Sequence, residues 1–321
     1  VWGIAHVYGK TDADAVFGMI YAQAEDDFKR IERNYLDGLG WRAQADGEAA
    51  IYSDLRQRLF VDATRLQHLY DASPEWLKTL MMAWADGLNY FLAKHPHVIP
   101  KVIRHFEPWM SLSFTEGSIG GDIESVDLGK LEEFYGGRTS TAAFPAPLAS
   151  AESSSGGSNG FAIAPGRSAS GHALLWINPH TSYYFRSELQ MVSEQGLDVY
   201  GAVTWGQFFV YQGFNTHNGW MHTSYGGDAI DEYAETLVKQ SDGLHYKYGA
   251  GSRKLEVSHV SIAFKRGNRR LQREFTVYHS HHGPIVRAEG GRWIAVKLLQ
   301  DPVPALAQSY LRTKTTDYGS F

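Results

Sequence analysis

Cysteine is absent from the 321 residues of the sequence. Its absence excludes thiol catalysis, thiolate-bound zinc and disulfide bonds together. The sequence also lacks any run of about 18 apolar residues, so it predicts no membrane span. Long runs of one charge are missing too, with 30 Lys and Arg against 35 Asp and Glu and a formal net charge of −5. We therefore expect no nucleic-acid partner, because such a partner requires a basic surface.

A secretory signal peptide and an initiator methionine are both missing from the start, which reads Val1-Trp2-Gly3-Ile4. The other end closes with Tyr318-Gly319-Ser320-Phe321, without an obvious stop to the fold. We interpret both ends as trimmed. The expected location is periplasmic or secreted, with an export signal that would precede Val1.

What is present divides the sequence into three segments. Residues 1–137 are predicted to be mainly helical, since apolar residues recur at helical spacing over 11–36 and again from Ser73, the expected N-cap of a second helix. A further helix is predicted over 113–135. Residues 138–157 are rich in Gly, Pro and Ser, which is typical of a linker, and we expect this segment to be cut or removed on maturation.

The third segment, residues 158–321, is predicted to be the first, incomplete part of a strand-rich chain. Short β-rich stretches separated by Gly, Asn or Pro are predicted at 158–164, 172–177, 199–204, 208–211, 254–264 and 275–279. Helices followed by strands favour an α+β fold with an antiparallel sheet, or two segments that share one core.

The boundary between the linker and the strands reads Gly156-Gly157-Ser158-Asn159-Gly160. By itself, Ser-Asn-Gly is most often a turn. The alternative is that Ser158 becomes a new N-terminus, whose free α-amine, with a pKa of about 8, acts as general base for its own hydroxyl. The same stretch has a Gly-x-Ser-x-Gly pattern, but a nucleophile elbow requires a strand before the serine and a helix after it. A linker precedes Ser158 and a strand is predicted after it, so an elbow is not expected.

Five motifs occur in an order that resembles one known family. They are the stretches 3–9 and 17–27, the Gly157-Ser158-Asn159 junction, the stretch 171–180 ending in Asn-Pro-His, and 218–224. Together they resemble the penicillin acylase family of N-terminal-nucleophile hydrolases over nearly the whole sequence. The resemblance implies an α+β fold, the four-layer αββα sandwich with antiparallel sheets. It also implies autocatalytic cleavage between Gly157 and Ser158, which makes Ser158 the nucleophile.

The resemblance assigns roles to residues around Ser158. His180 matches a residue that holds the nucleophile in place; the alternative is a strand-end histidine with a structural hydrogen bond. The backbone N–H of Ser224 matches one donor of the oxyanion hole, at a position where the family usually has Ala or Val. Asn159 matches the usual neighbour of the nucleophile. The second oxyanion donor of the family is an Asn further downstream, so we interpret the sequence as truncated at its C-terminus.

A metal site is also implied by the resemblance. Asp228, Ile230 and Asp231 match a calcium-binding loop of some family members, with Glu124 as the ligand from the helical segment. Carboxylate and carbonyl oxygens suit a hard cation such as calcium. The alternative is a solvated acidic turn. One structural calcium ion and no organic cofactor are therefore expected.

The expected function is hydrolysis of N-acyl amides through an acyl-enzyme on Ser158. The Ser158-Asn159-Gly160-Phe161 start, His180 and the stretch 205–207 are more similar to acyl-homoserine-lactone acylases than to phenylacetyl-specific ones. Two alternatives stay open: a catalytically silent binding or scaffold homologue, and a penicillin or cephalosporin acylase. The expected partners are a small N-acyl amide substrate and, after cleavage, the protein's own α and β chains.

Overall fold

The computed structural model of the chain describes residues 3–113, 123–137, 157–181, 184–223 and 230–321. Its α-helices are α1 (Asp12–Leu39), α2 (Arg42–Asp46), α3 (Ile51–Phe60), α4 (Ala63–Asp71), α5 (Glu75–Lys94), α6 (Leu128–Gly136) and α7 (Pro302–Leu311). Its strands are β1 (Ala5–Gly9), β2 (Ser158–Ile163), β3 (Leu174–Pro179), β4 (Arg186–Ser193), β5 (Asp198–Thr204), β6 (Gln212–Asn215), β7 (Gly219–Trp220), β8 (Ile230–Glu235), β9 (Leu237–Gln240), β10 (Gly243–Tyr248), β11 (Gly251–Lys254), β12 (Glu256–Arg266), β13 (Arg269–Ser280), β14 (Gly283–Glu289) and β15 (Arg292–Leu298). Helices followed by strands confirm the predicted α+β class.

Helix α1 begins where the sequence predicts. The Thr11 hydroxyl accepts the Asp14 N–H, while the Asp14 carboxylate accepts the Thr11 N–H, so the two form a capping box. The helix kinks at Asp27, where φ is −153° and ψ is 69°. The carboxylate of Asp27 accepts the Arg30 N–H, so it caps the second half of the helix as an N-cap would.

Two of the helix predictions were partly wrong. Ser73 does not cap α5: its hydroxyl donates to the Leu69 carbonyl of α4, and the residue before the helix is Pro74. The helix predicted over 113–135 is confirmed only at its end, as α6, because Asp127 caps the chain there by accepting the Lys130 N–H. The earlier residues of that stretch that the structure describes include a 3-10 turn at Ile123–Ser125.

Four sheets follow from the strands. The first has the order β1-β4-β5-β6-β7, the second β12-β13-β14-β15-β8 and the third β11-β10-β9, while β2 and β3 form a separate antiparallel hairpin. The expectation of antiparallel sheets is wrong at one place, since β1 pairs with β4 in parallel. This pairing connects the start of the chain to a strand that lies beyond the linker.

The strand predicted at 208–211 is absent, and the strand β6 begins one residue later. Phe208, Phe209 and Val210 are all at most 1% exposed, in an irregular segment between β5 and β6. A short apolar run has the same pattern in a buried loop as in a buried strand, so periodicity alone does not separate them.

The main hydrophobic core joins residues from before and after the predicted linker, of which residues 138–156 lie outside the described residues. Side chains of α1 and α5 pack against those of β4 and β5 in one buried cluster, which includes Met19, Ile20, Trp84, Leu189, Val199 and Val203. These helices and the first sheet supply two adjacent layers, and the four-layer order stays a prediction. Within the described ranges, no helix is long and apolar enough to cross a membrane.

Candidate active site

The β2–β3 hairpin positions Ser158. Antiparallel pairing sets Ser158 opposite Pro179 and Asn159 opposite Asn178, so His180 follows the partner strand directly beside the serine. The backbone N–H of His180 points to the Ser158 hydroxyl, with 3.4 Å between nitrogen and Oγ. This contact is at the long limit of a hydrogen bond. The structure therefore brings together three of the residues that the sequence singles out: Ser158, Asn159 and His180.

The imidazole of His180 turns away from the serine hydroxyl toward two asparagines. Its Nε2 lies 3.2 Å from Asn159 Nδ2 and 3.1 Å from Asn178 Oδ1. One ring nitrogen cannot accept from the first and donate to the second in the same tautomer, so the tautomer selects the partner. In either form, the described contact of His180 with Ser158 Oγ is made by its backbone. This geometry fits a positioning role better than that of a general base.

The nitrogen of Ser158 has a partner of its own. It donates a hydrogen bond to the Thr223 hydroxyl, with 2.9 Å between nitrogen and Oγ1. Thr223 lies three residues after the short strand β7, and 65 residues after Ser158. No role for Thr223 was predicted from the sequence. The available signal was the hydroxyl residue that directly precedes the expected oxyanion donor.

Close backbone approaches seat the hairpin against the first sheet. A Cβ at Gly160 would collide with the Met221 sulfur, and one at Gly219 would collide with a methyl carbon of Leu175. A side chain at either position would require the Met221 or Leu175 side chain to move. Because Gly219 belongs to β7 and Met221 follows it, the hairpin and the segment that holds Thr223 are packed together. The glycine of the Ser-Asn-Gly motif lies in a strand and packs against the Met221 side chain, rather than forming a turn.

His222, the residue before Thr223, is uncharged in the folded protein. The His222 ring stacks on Tyr211 at 4.5 Å, and its Nε2 lies 2.9 Å from an Arg312 guanidinium nitrogen. Burial lowers the pKa of His222 to about 4, and the positive charges of Arg312 and Arg186 act in the same direction. His222 is therefore neutral near pH 7, and its Nε2 accepts the hydrogen bond from Arg312.

Two expected site residues, Ser224 and Asp228, lie outside the described residues, so the oxyanion donor and part of the calcium loop stay predictions. Ile230 and Asp231 begin strand β8, and Glu124 lies in a 3-10 turn. A cavity of about 190 Å³ is lined by Ile230 and by Ser125, the neighbour of Glu124.

Charges of both signs line this cavity. They belong to Asp127, Glu232, Lys130 and Arg287, and the Arg287 guanidinium binds the Glu232 carboxylate, with 2.6 Å between nitrogen and oxygen. In the part of the chain that the structure describes, no group of three or more acidic or histidine side chains could hold a metal ion. The described members alone do not fit a calcium ion, and the proposed site depends on Asp228.

The Trp205-Gly206-Gln207 stretch, which the resemblance rests on, is a structural turn in the core. The Gly206 carbonyl accepts from the Tyr35 hydroxyl and the Trp84 indole, both at 2.8 Å. Gly206 has φ +97°, a conformation that favours glycine. This turn connects the first sheet to α1 and α5 by hydrogen bonds, so its role is structural.

Comparison with known proteins identifies a family and several relatives. The family model described as "Penicillin amidase" matches residues 1–321. Acyl-homoserine lactone acylase PvdQ of Pseudomonas putida is 25% identical over 317 residues, covering 90% of this chain and 40% of that protein. Acyl-homoserine lactone acylase QuiP of Pseudomonas fluorescens is 23% identical, with the same two coverages. Penicillin acylase 2 proenzyme of a Pseudomonas species is 24% identical, covering 90% of this chain and 43% of that protein.

A solved structure of thermostable penicillin G acylase from Alcaligenes faecalis aligns with 50% of this chain and 30% of its own, with a TM-score of 0.43 and 21% identity. The chain spans about 40% of the length of the curated relatives PvdQ and QuiP. Because the family model matches the sequence from its first residue to its last, this chain belongs to the penicillin amidase family.

Proposed function

We propose that the protein containing this chain is an N-terminal serine amide hydrolase, activated by autocatalytic cleavage between Gly157 and Ser158. The observation that carries the proposal is the surroundings of Ser158: its nitrogen is bound by the Thr223 hydroxyl, and its Oγ lies near a backbone N–H. Family membership supports the reaction class. Acylase activity on acyl-homoserine lactones is the preferred substrate assignment, because PvdQ and QuiP carry that name and the Ser158 start is similar to theirs.

Cleavage requires only atoms already adjacent in the chain. Ser158 Oγ attacks the Gly157 carbonyl carbon, and the bond from that carbon to the Ser158 nitrogen breaks, which leaves an ester and a free amine. Water then hydrolyses the ester and releases the Gly157 carboxylate. Gly157 has φ +138° with open space around its Cα, so its backbone adopts a conformation that other residues rarely reach.

In the cleaved protein, the amine of Ser158 is the proposed general base. It takes the proton of Oγ as Oγ attacks the amide carbonyl of the substrate, and then gives that proton to the departing amine. The acyl group stays on Oγ as an ester until water, deprotonated by the same amine, releases the acid. Thr223 accepts one N–H of the amine, which leaves the nitrogen lone pair available for the proton of Oγ.

The remaining expectations belong to this proposal. Ser224 supplies a backbone donor to the oxyanion, a downstream Asn supplies the second, and His180 and Asn159 hold the loop beside Ser158. A calcium site that includes Asp228 and a periplasmic or secreted location are proposed on the resemblance alone. A penicillin or cephalosporin acylase is the alternative substrate assignment, and a panel of N-acyl-homoserine lactones and β-lactams separates the two.

The experiment that tests the proposal is N-terminal sequencing and intact mass of the purified full-length protein. We expect a new N-terminus at Ser158, and a single uncut chain in the Ser158→Ala variant. In the processed protein, kcat should rise through one ionisation between about pH 6 and 8, that of the amine. His180→Gln should lower kcat but keep that ionisation. An uncut wild-type chain that is active, or loss of the ionisation in His180→Gln, would overturn the mechanism.

An uncut and inactive wild-type chain would instead identify the catalytically silent homologue. That outcome would not affect the family assignment, but it would exclude the proposed reaction.

A further inference from the structure

Thr223 is held by a segment that comes from far along the chain. Its neighbour His222 is fixed twice: the Gln212 side chain donates to the His222 carbonyl at 2.9 Å, and Arg312 donates to its ring. Gln212 and Arg312 are only 2% and 8% exposed. The backbone that carries Thr223 is thus anchored by buried polar groups, which restrict its movement more than surface contacts do.

The anchor from residues 312–315 makes further contacts with the same segment. Arg312 donates a second hydrogen bond, to the Tyr211 carbonyl at 3.2 Å. The side chain of Asn215 donates to the Thr313 and Thr315 carbonyls at 3.0 and 2.9 Å. Asn218 donates to the Thr315 carbonyl at 3.0 Å. Residues 312–315 therefore hold both ends of the stretch from β6 to Thr223.

Arg312 lacks an acidic partner in the described parts of the chain. Its contacts there are a neutral imidazole, a carbonyl and the aromatic faces of Tyr211 and Trp220. Burial lowers the pKa of Arg312 to about 10, so it keeps its charge near pH 7. A buried cation costs free energy unless it is well compensated. Fold stability alone does not explain an arginine at this place, since an apolar side chain of similar size would avoid that cost.

We propose that Arg312 is a positioning residue for the reaction of Ser158: through His222 it fixes the Thr223 hydroxyl against the Ser158 nitrogen. This inference rests on the proposed function. Arg312 touches neither the nucleophile nor the expected substrate position. It acts through His222 and Thr223, which set the direction of the lone pair on the Ser158 amine. A misdirected lone pair slows every proton transfer at Ser158 while substrate binding stays the same.

The test is a double-mutant cycle in the full-length, processed protein, with rates normalised to the processed fraction measured by intact mass. Arg312→Met should lower kcat about tenfold with KM unchanged, as expected for loss of one aligned hydrogen bond. In a Thr223→Val background, the same change should lower kcat less than about twofold, because the contact it supports is already gone. Arg269→Met, at an exposed position of β13, is the matched control and should leave kcat unchanged.

An equal loss of kcat in both backgrounds, or wild-type kcat in Arg312→Met, would overturn the proposal.

If Arg312→Met does not fold, His222→Leu replaces it in the cycle. His222→Gln keeps an acceptor for Arg312 and should restore most of the rate. Failure of the proposed function has a different signature: the wild-type protein would then be uncut and inactive, or Ser158→Ala would remain as active as wild type. Loss of activity in Ser158→Ala with no effect of either Arg312 or His222 would refute the positioning role alone.

Discussion

At Ser158, the two atoms of the proposed reaction are held from opposite sides. The Thr223 hydroxyl binds the nitrogen, and the backbone N–H of His180 approaches Oγ. A hydroxyl and a backbone amide keep their hydrogen-bonding character at any pH near neutrality, so the arrangement does not depend on a second titrating group. The amine is then free to be the group whose ionisation sets the rate.

Thr223→Val is expected to lower kcat by about tenfold in the processed protein, because it removes the acceptor for the Ser158 amine while keeping the volume of the side chain. Thr223→Ser keeps the hydroxyl and should retain most of the rate. Initial rates at saturating substrate measure both. Equal rates in all three proteins would show that the Ser158 amine needs no such partner.

His222 predicts how stability changes with pH. Its pKa in the folded protein, about 4, is below its ordinary value of 6.5. The unfolded chain therefore binds more protons in that window, and the free energy of unfolding contributed by this group falls as the pH falls from about 6.5 to about 4. Urea unfolding at pH 7, 5.5 and 4.5 should show a smaller decline in His222→Gln.

The matched control for His222 is His172→Gln, at an exposed position after the β2 strand. This variant should follow the wild-type decline at all three pH values. If His222→Gln also follows it, the lowered pKa of His222 does not contribute to the decline, and the neutral state assigned to this histidine is wrong.

Ser158, Asn159 and His180 could be identified from the sequence because their spacing fixes them on one hairpin. Thr223, His222 and Arg312 could not. Arg312 meets His222 from 90 residues away, through a 3-10 turn after α7, and no local pattern encodes that meeting. Sequence motifs identify residues that lie close together in one hairpin. The residues that contact Thr223 and His222 come from distant parts of the chain, and their positions depend on the tertiary fold.

At the scale of elements, the Trp205-Gly206-Gln207 turn connects the first sheet to helix α1. Gln23, 1% exposed, donates to the Gln207 carbonyl at 3.0 Å and accepts the Gly206 N–H at 2.9 Å. A side-chain amide matches these two backbone groups because it has a donor and an acceptor side by side.

Gln23→Leu should destabilise the fold by roughly 2–4 kcal/mol, since it leaves a buried backbone N–H and a buried carbonyl unpaired. Gln67→Leu, at an exposed position of α4, is the control and should change the free energy of unfolding by less than about 0.5 kcal/mol. Guanidinium unfolding compares them. A loss for Gln23→Leu no larger than the control would mean that water replaces the lost partners.

Element boundaries were predictable where a cap or an alternating pattern defines them, and less so elsewhere. The predicted helix start near residue 11 is confirmed, and Thr11 is the N-cap of α1. Ser73 has the residue type of an N-cap, but its hydroxyl donates to the Leu69 carbonyl of the preceding helix and does not cap α5. The buried segment Phe208 to Tyr211 shows the other limit, because burial was predictable there and backbone conformation was not.

At the scale of the molecule, the proposed cut at Gly157 would separate two segments that share one core. Helices α1 and α5 precede the cut, and the sheet strands β4 and β5 against which they pack follow it. The buried apolar contact between them stays after the peptide bond is broken. The α and β chains are therefore expected to behave as one particle.

Gel filtration of the processed full-length protein in native buffer should give a single peak that resolves into two bands on a denaturing gel. Separation of the chains in native buffer would contradict a shared core. Uncut Ser158→Ala protein is the control and should elute at nearly the same volume, since the cut removes little of the packed structure.

The parallel pairing of β1 with β4 joins positions that are far apart in the chain. His6 and Gln190, partners in that register, are 184 residues apart and are joined by a 2.8 Å hydrogen bond. Contacts between such distant positions form late, because the intervening chain must first lose its freedom. A chain cut before that pairing would have to find its partner by diffusion, at a rate set by concentration. We therefore expect the proposed cut before Ser158 to follow the pairing of these strands, because the Thr223 hydroxyl lies beside the Ser158 nitrogen only when the first sheet has formed.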